Sequence, residues 1–131
     1  MSAEENIQTL KNAYAAFSRG DLPSVLAAFD ETIQWITPGN SALAGERNGK
    51  DEVAGFFRTV SERWDVLAFE PSEFISSGDR VVAFGRYEMR SRQTYRTAAS
   101  HWAMAWTFRD GKAVRFQEYT DTATLEAAEV A

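Results

Sequence analysis

Residues 101–121 read HWAMAWTFRDGKAVRFQEYTD, and this stretch predicts two strands joined by a tight turn. The turn is Asp110-Gly111, a dipeptide typical of two-residue hairpin loops because both residues tolerate a positive φ. Large apolar side chains occupy alternate positions before the turn: Trp102, Met104, Trp106 and Phe108. A period of two is that of a strand with one apolar face. The hairpin therefore predicts an antiparallel sheet with an apolar inner face.

The sheet is expected to contain long strands. The predicted strands around this hairpin are residues 66–75, 80–90, 95–108 and 113–121. Pro71 interrupts the first of them, which indicates an edge strand or a bulge, because proline has no N–H for the ladder. Two of the strands exceed the usual length of about five or six residues. Long strands coil with the twist of the sheet, so a concave face is expected.

Helical patterns precede these strands. Apolar residues recur at helical spacing over residues 3–19 and 50–63. Asp21 is a natural N-cap, and Pro23 in the following turn predicts a short second helix. Three helices are therefore available to cover the concave face of the sheet.

The order of elements predicts the fold class. Helices followed by hairpin-linked strands are typical of an α+β domain with an antiparallel sheet. A further short strand is predicted at residues 32–37, and residues 122–131 are predicted to form a tail with room for a helical turn. We predict one domain over residues 1–131, in which three N-terminal helices and a cone-shaped curved sheet enclose a pocket.

The composition excludes several classes of function. There is no cysteine, so disulfides and thiolate chemistry are excluded. The single histidine predicts no metal site, and the absence of a glycine-rich phosphate loop predicts no nucleotide cofactor. The formal net charge of −5 argues against a nucleic-acid partner, and the apolar runs are too short to cross a membrane. The acidic N-terminus does not read as a signal peptide, so a cytoplasmic location is expected.

Short motifs occur in a defined order over nearly the whole chain: Trp35, Pro38-Gly39, Gly45, Gly49, Phe56-Phe57, Gly78-Asp79, Val81-Val82, Trp106-Thr107-Phe108, Asp110-Gly111-Lys112 and Tyr119-Thr120-Asp121-Thr122. With the order of elements, they resemble the SnoaL-like (polyketide cyclase-like) branch of the nuclear transport factor 2-like superfamily. The resemblance implies a cone-shaped sheet around a pocket for a small molecule. The activity stays open, because this fold hosts isomerases, cyclases, hydratases, epoxide hydrolases and non-enzymatic binders.

A weaker similarity to limonene epoxide hydrolase implies a catalytic set of Arg86, Glu88 and Glu118, which would hold a water molecule. Glu118 shares a strand face with Phe116, so alternation predicts that its side chain points inward. For the strand at residues 80–90, Arg86 and Glu88 could point inward, or the alternate and mostly apolar row could do so. If Arg86 paired with Glu118, the pair would be structural, and the pKa of the carboxyl would be lowered.

Asp121 is a further catalytic candidate, because the resemblance implies a position near the pocket rim. Its other possible role is to cap a helix in the tail. Two positions depart from the relatives: Thr37 stands where steroid-isomerase-like proteins carry an aspartate, and Met104 where many SnoaL-like sequences carry a histidine. A three-carbon carbonyl isomerisation is therefore not expected. The lone His101 is predicted to point to the convex face.

Ligand contacts are expected from side chains predicted to face the pocket: Tyr14, Trp35, Trp102, Met104, Trp106 and Phe116. Tyr14 lies on the core face of the first helix, and its hydroxyl is suited to orient a ligand oxygen. Each aromatic residue in this set could equally belong to the core, Trp35 among them.

Two functions fit these residues. One is a cofactor-independent enzyme that acts on a small, mostly apolar oxygenated molecule by hydration or epoxide opening, cyclisation or isomerisation. Burial among aromatic rings would raise the pKa of Glu118 towards neutrality, where acid–base catalysis is most effective. The other function is that of a non-enzymatic ligand-binding or dimerisation module.

A homodimer through the convex face of the sheet is also predicted. Apolar residues occupy both phases of the long strands, as in Val81-Val82 and Ala105-Trp106. A sheet that is apolar on both faces needs cover on both faces.

Overall fold

The computed structural model describes residues 2–130, which form four helices and six strands. In chain order they are α1 (Ala3–Ser18), α2 (Leu22–Leu26), β1 (Phe29–Thr37), β2 (Gly45–Asn48), α3 (Lys50–Arg63), β3 (Trp64–Ser77), β4 (Arg80–Ser91), β5 (Thr97–Arg109), β6 (Lys112–Thr120) and α4 (Thr122–Glu129). Positions 1 and 131, the two ends of the predicted domain, lie outside the described residues. The predicted α+β class is confirmed.

The six strands form one curved, open sheet in the order β2-β1-β6-β5-β4-β3. Neighbouring strands are antiparallel except β1 and β6, which run parallel. β3 lies at an edge, and its register shifts between Pro71 and Glu73. The edge position and the irregularity confirm the prediction made from Pro71, because an edge strand accommodates a residue that lacks an N–H donor.

α1 and α3 each bury one side against the domain core. α1 begins with a capping box, in which Ser2 and Glu5 satisfy each other's backbone N–H groups. α3 buries Val53, Phe56 and Val60, the apolar stripe expected from helical spacing. Within residues 2–130, none of the helices has the combination of length and apolar character needed to cross a bilayer.

The inward row of β4 consists of the buried residues Val81, Ala83, Gly85, Tyr87 and Met89. Gly85 leaves no space for a side chain, because a Cβ atom there would collide with the carbonyl of Glu70 and the ring of Trp102. Arg86 and Glu88 therefore point to the convex face. The interpretation that placed them inside the pocket is wrong. Both phases of this strand contain apolar residues, so alternation could not choose between them.

α4 forms a full helix where the sequence predicted a tail with room for one turn. It contacts β4 and β5 and is joined to the loop that follows β1. The carboxylates of Glu126 and Glu129 accept hydrogen bonds from the backbone N–H groups of Asn40 and Ala42, at 3.2 and 2.9 Å. α4 is thus fixed to the loop between β1 and β2.

Candidate functional site

A cavity of about 100 Å³ lies between the helices and the concave face of the sheet, and we call it the inner cavity. Three aromatic rings cover its sheet side. Trp35 stacks on Phe116 with ring centroids 3.8 Å apart, and Trp106 lies 4.7 Å from Phe116. The rings meet because Phe116 pairs in register with Trp35 on one side and with Trp106 on the other. The cavity therefore offers a mostly apolar surface to a ligand.

Glu118 is the only carboxyl group among residues 2–130 that lines the inner cavity. It follows Phe116 by two positions on β6 and points inward, as alternation predicted, with 9% of its surface exposed. No hydrogen bond or ion pair with another described residue offsets this burial, and the lost hydration raises the pKa of Glu118 to about 7. The group can therefore exist in either protonation state near neutral pH.

Tyr14 places a second polar group at the inner cavity. Its hydroxyl accepts a hydrogen bond from Trp106 Nε1 at 3.1 Å and donates one to Met104 Sδ at 3.1 Å. Burial raises the pKa of Tyr14 far above the usual phenol value, and the charge of Glu118 adds to this. A thioether sulfur is a weak acceptor. The hydroxyl is therefore held in place, yet it can exchange its hydrogen bond to Met104 for one to a stronger acceptor on a ligand.

Tyr87 supplies a third polar group, from the inward row of β4. Its hydroxyl lies 3.2 Å from Thr120 Oγ1, which in turn lies 3.2 Å from Ser100 Oγ. Burial raises the pKa of Tyr87 to about 12, and the negative charge of Glu118 contributes. Glu118 thus lies within electrostatic reach of both cavity tyrosines.

The predicted ligand contacts divide into two groups. Tyr14, Trp35, Met104, Trp106 and Phe116 line the inner cavity. Trp102 belongs to the core beside it, where its ring stacks on Tyr14 at 5.7 Å and on Phe69 at 5.1 Å. The alternation of β5 predicted the inward direction of Trp102 but not that other rings would cover it.

The predicted set of Arg86, Glu88 and Glu118 is not brought together. Arg86 and Glu88 lie on the convex face, where Arg86 Nη1 forms an ion pair with Glu70 Oε1 at 2.6 Å. Glu118 therefore has no guanidinium partner, and neither its pairing with Arg86 nor the three-residue water site occurs.

Asp121 takes the helix-capping role that the sequence allowed. It is exposed, and its carboxylate accepts hydrogen bonds from the hydroxyl and the backbone N–H of Thr124, at 2.7 and 3.2 Å. These bonds lower the pKa of Asp121. The residue caps α4 and does not line the inner cavity.

Residues 10–116 match the SnoaL-like domain. The chain belongs to this family. The match includes α2, α3 and β1 to β5 in full and ends at Phe116, two residues before Glu118. It confirms the resemblance inferred from the motifs.

This SnoaL-like domain is similar to solved structures of NTF2-like proteins. A protein from Burkholderia xenovorans LB400 is 38% identical, with 98% of each chain covered and a TM-score of 0.89. A protein of unknown function from Burkholderia pseudomallei K96243 is 35% identical, with full coverage of both chains and a TM-score of 0.88. TerC, co-crystallised with polyporic acid, is 30% identical over 95% of this chain and 97% of its own, with a TM-score of 0.85.

An uncharacterized protein of Mycobacterium tuberculosis is 25% identical over 128 residues, which cover 97% of this chain and 98% of that protein. The solved structures confirm the predicted nuclear transport factor 2-like fold. The chemistry of the SnoaL-like domain has to be inferred from its own residues.

Several residues that line the cavity of this SnoaL-like domain were not predicted from the sequence. Tyr87 belongs to the row of β4 whose phase was left open, so its hydroxyl received no role. Phe17, Phe57 and Phe69 reach the cavity from α1, α3 and β3; two of them were visible only as members of apolar helix stripes. Across residues 2–130, no three histidine, aspartate or glutamate side chains are grouped so that they could hold a metal ion.

Proposed function

We propose that this protein binds a small, mostly apolar oxygenated molecule in the inner cavity and that Glu118 acts on it as a general acid–base group. One observation carries the proposal: a single carboxyl group stands among aromatic rings without a partner, and its pKa is raised to about 7. Proton transfer is most effective when the pKa of the catalytic group lies near the working pH.

Two polar groups of the cavity have roles in this proposal. Ionised Glu118 removes a proton from the ligand or from an attacking water, and protonated Glu118 returns it to a leaving or developing oxygen. The Tyr14 hydroxyl donates a hydrogen bond to a ligand oxygen and so orients it, in place of its contact with Met104. The candidate reactions all use such a proton exchange: hydration or epoxide opening, cyclisation and isomerisation. We propose that this protein carries out its reaction without a cofactor.

A relative supports the binding part of the proposal. TerC shares the fold at a TM-score of 0.85 and was co-crystallised with polyporic acid. The aromatic lining of the inner cavity suits an organic ligand, because stacked rings offer a large apolar contact area.

The test replaces Glu118 with glutamine, which keeps the shape and removes the titrating group. We expect turnover of a responsive compound, found by screening epoxides, unsaturated ketones and cyclisable diketones, to fall by at least about a hundredfold. The matched control is Glu88→Gln, the same change on another strand of the sheet but on the convex face. A Glu118→Gln variant that is folded and fully active would show that the carboxyl is not catalytic.

A non-enzymatic ligand binder is the second candidate, because Glu118 stands without the arginine and the second carboxylate that the epoxide-hydrolase-like set requires. In that case ligands would be recovered unchanged after incubation. Glu118→Gln would then alter only affinity. Mass spectrometry of the bound and released compound distinguishes the two functions.

We propose further that the protein forms a homodimer through the convex face. Phe84 lies opposite Ala103, and Val82 opposite Ala105, so four apolar side chains adjoin on the outer side of β4 and β5. Tyr119 on β6 is opposite Ala103 and is 54% exposed. A contiguous apolar patch of this kind is typical of a protein–protein interface.

Sedimentation at micromolar concentration tests the dimer. We expect a dimer for the wild type and a monomer for Ala105→Glu, because the variant would bury a charge in the contact. Ala15→Glu, the same change at an exposed position of α1, is the control and should leave the dimer intact. A monomeric wild type would remove the proposal.

A further inference from the structure

A second hollow lies outside the inner cavity and is larger, about 640 Å³. It is bounded by the turn between α1 and α2, the last turns of α3 and the first residues of β3. We call this hollow the outer groove. Both spaces are partly open to solvent.

The outer groove and the inner cavity adjoin each other. Six residues line both of them: Phe17, Val25, Phe57, Val60, Val66 and Phe69. The rings of Phe17, Phe57 and Phe69 stand at the junction, with Phe17 5.9 Å from Phe57 and 5.1 Å from Phe69 between ring centroids. All three are only half-buried. Rotation of side chains, without movement of the backbone, would therefore be enough to connect the two spaces.

A bulge in β3 shapes the wall of the outer groove. The register of β3 against β4 shifts between Val66 and Ala68, so Leu67 is an extra residue in the strand. Regular alternation would turn every second side chain away, yet consecutive residues from Trp64 to Phe69 line the outer groove. Leu67 is 46% exposed there and Val66 39%. The bulge thus places two consecutive apolar side chains, Val66 and Leu67, at the exposed surface of the groove.

The rim of the outer groove is polar. Ser61 lies on it, and so does Asp65, whose carboxylate is held by Arg90 at 3.2 Å and by Arg92 at 3.0 Å. These pairs satisfy the charge of Asp65. Arg58 also lines the groove, so a ligand would meet an apolar floor with a charged group beside it.

We propose that the ligand of this domain is elongated, with an oxygenated head at Glu118 in the inner cavity and an apolar tail that passes the three phenylalanine rings into the outer groove. The inference rests on the proposed function for the position of the head. The volumes support it: the inner cavity is somewhat smaller than the roughly 150 Å³ that accommodates benzene in an engineered apolar cavity. A head group fits there, and a longer molecule has space only in the outer groove.

The experiment measures the dissociation constants of a series of 2-alkanones, from 2-butanone to 2-undecanone, by isothermal titration calorimetry. These probes share one ketone head and differ only in tail length. If the tail enters the outer groove, affinity should rise by up to about fourfold for each added methylene, well past 2-pentanone. If the ligand is confined to the inner cavity, affinity should stop rising at about that length.

Two variants of the outer groove sharpen the test. Ser61→Trp fills the groove from α3, and Leu67→Asp makes its floor charged. We expect both to flatten the length dependence above 2-pentanone and to leave 2-butanone affinity within about twofold of wild type. Glu62→Trp, at the neighbouring exposed position that does not line the groove, is the matched control and should keep the wild-type length dependence.

The proposal is overturned if affinity levels off at 2-pentanone in the wild type, if folded Ser61→Trp and Leu67→Asp retain the full length dependence, or if no alkanone binds. Glu118→Gln separates this outcome from the failure of the proposed function. Suppose that the length dependence survives in Glu118→Gln and that neither the wild type nor any variant turns over a compound of the epoxide, ketone and diketone screen. The elongated ligand would then be supported and the catalytic role rejected.

Discussion

Glu118 on β6 and Glu88 on β4 are the same residue type on central strands of one sheet, and their surroundings differ completely. Glu118 faces the inner cavity, is almost fully buried and has no partner among the described residues. Glu88 is half-buried on the convex face, where the neighbouring Arg86 pairs with Glu70. Strand phase, more than residue identity, therefore decides which carboxyl group is buried among apolar side chains.

Some buried polar groups on the concave side of the sheet are unsatisfied. The buried Trp35 Nε1, Thr37 Oγ1 and Trp102 Nε1 atoms have no hydrogen-bond partner within residues 2–130. Buried polar groups are normally paired, and unpaired ones are typical of functional regions. The concave side therefore has free hydrogen-bonding groups. One of them, Trp35 Nε1, belongs to a residue that lines the inner cavity.

The largest expected effect is on stability, at the ring that covers the sheet side of the inner cavity. Trp106 is buried and contacts Phe116, and its N–H donates to Tyr14. We expect Trp106→Ala to lower the free energy of unfolding by about 3–5 kcal/mol, measured by urea denaturation. Thr107→Ala, the next residue but on the convex face, should cost less than about 1 kcal/mol. A melting temperature of Trp106→Ala within a degree or two of wild type would contradict the burial.

A second effect concerns pH. Folding raises the pKa of Glu118 from 4.5 to about 7, so the folded state keeps the proton longer than the unfolded state. Stability is unaffected below pH 4.5, falls as the pH rises from 4.5 to 7, and is constant above that. Glu118→Gln removes this loss, so the variant should gain roughly 3 kcal/mol relative to wild type between pH 4 and pH 8.

Denaturant unfolding of both proteins across this pH range measures that gain, with Glu88→Gln as the control on the opposite face. Parallel pH profiles for wild type and Glu118→Gln would mean that the carboxyl is solvated or paired in solution, and the contrast between the two faces would disappear.

The smallest effect is expected on the convex side. The ion pair of Arg86 with Glu70 is short, but 43% of the arginine side chain and 61% of the glutamate side chain are exposed. Exposed pairs of this kind contribute little, because water screens the charges. A double-mutant cycle with Arg86→Gln and Glu70→Gln should give a coupling energy below about 1 kcal/mol. A coupling above about 2 kcal/mol would indicate that the pair is buried, for example in the proposed dimer.

Much of the fold could be predicted from local signals. The Asp110-Gly111 hairpin, the capping residue Asp21 and the irregularity at Pro71 each have a physical signature within a few residues. β2 and the parallel pairing of β1 with β6 could not be predicted in this way. A short polar strand has no apolar period, and a partner far along the chain leaves no local pattern.

The candidate site was predictable only where one strand phase was unambiguous. Phe116 fixed the direction of Glu118, whereas Val81 and Val82 occupy both phases of β4 and gave no direction to Arg86. The decisive contact there is between Gly85 and Trp102, two residues on different strands. Contacts across strands and the extra residue at Leu67 depend on tertiary packing, which a single sequence does not display.

β1 leaves the ribosome long before β6, its parallel neighbour in the sheet. Trp35 can stack on Phe116 only after the last strand has been synthesised. The hairpin of β4 and β5 can form earlier, because its two strands are close together in the chain. The aromatic surface of the inner cavity is thus assembled only after β6 has been made, and a chain that stops before β6 lacks both Phe116 and Glu118.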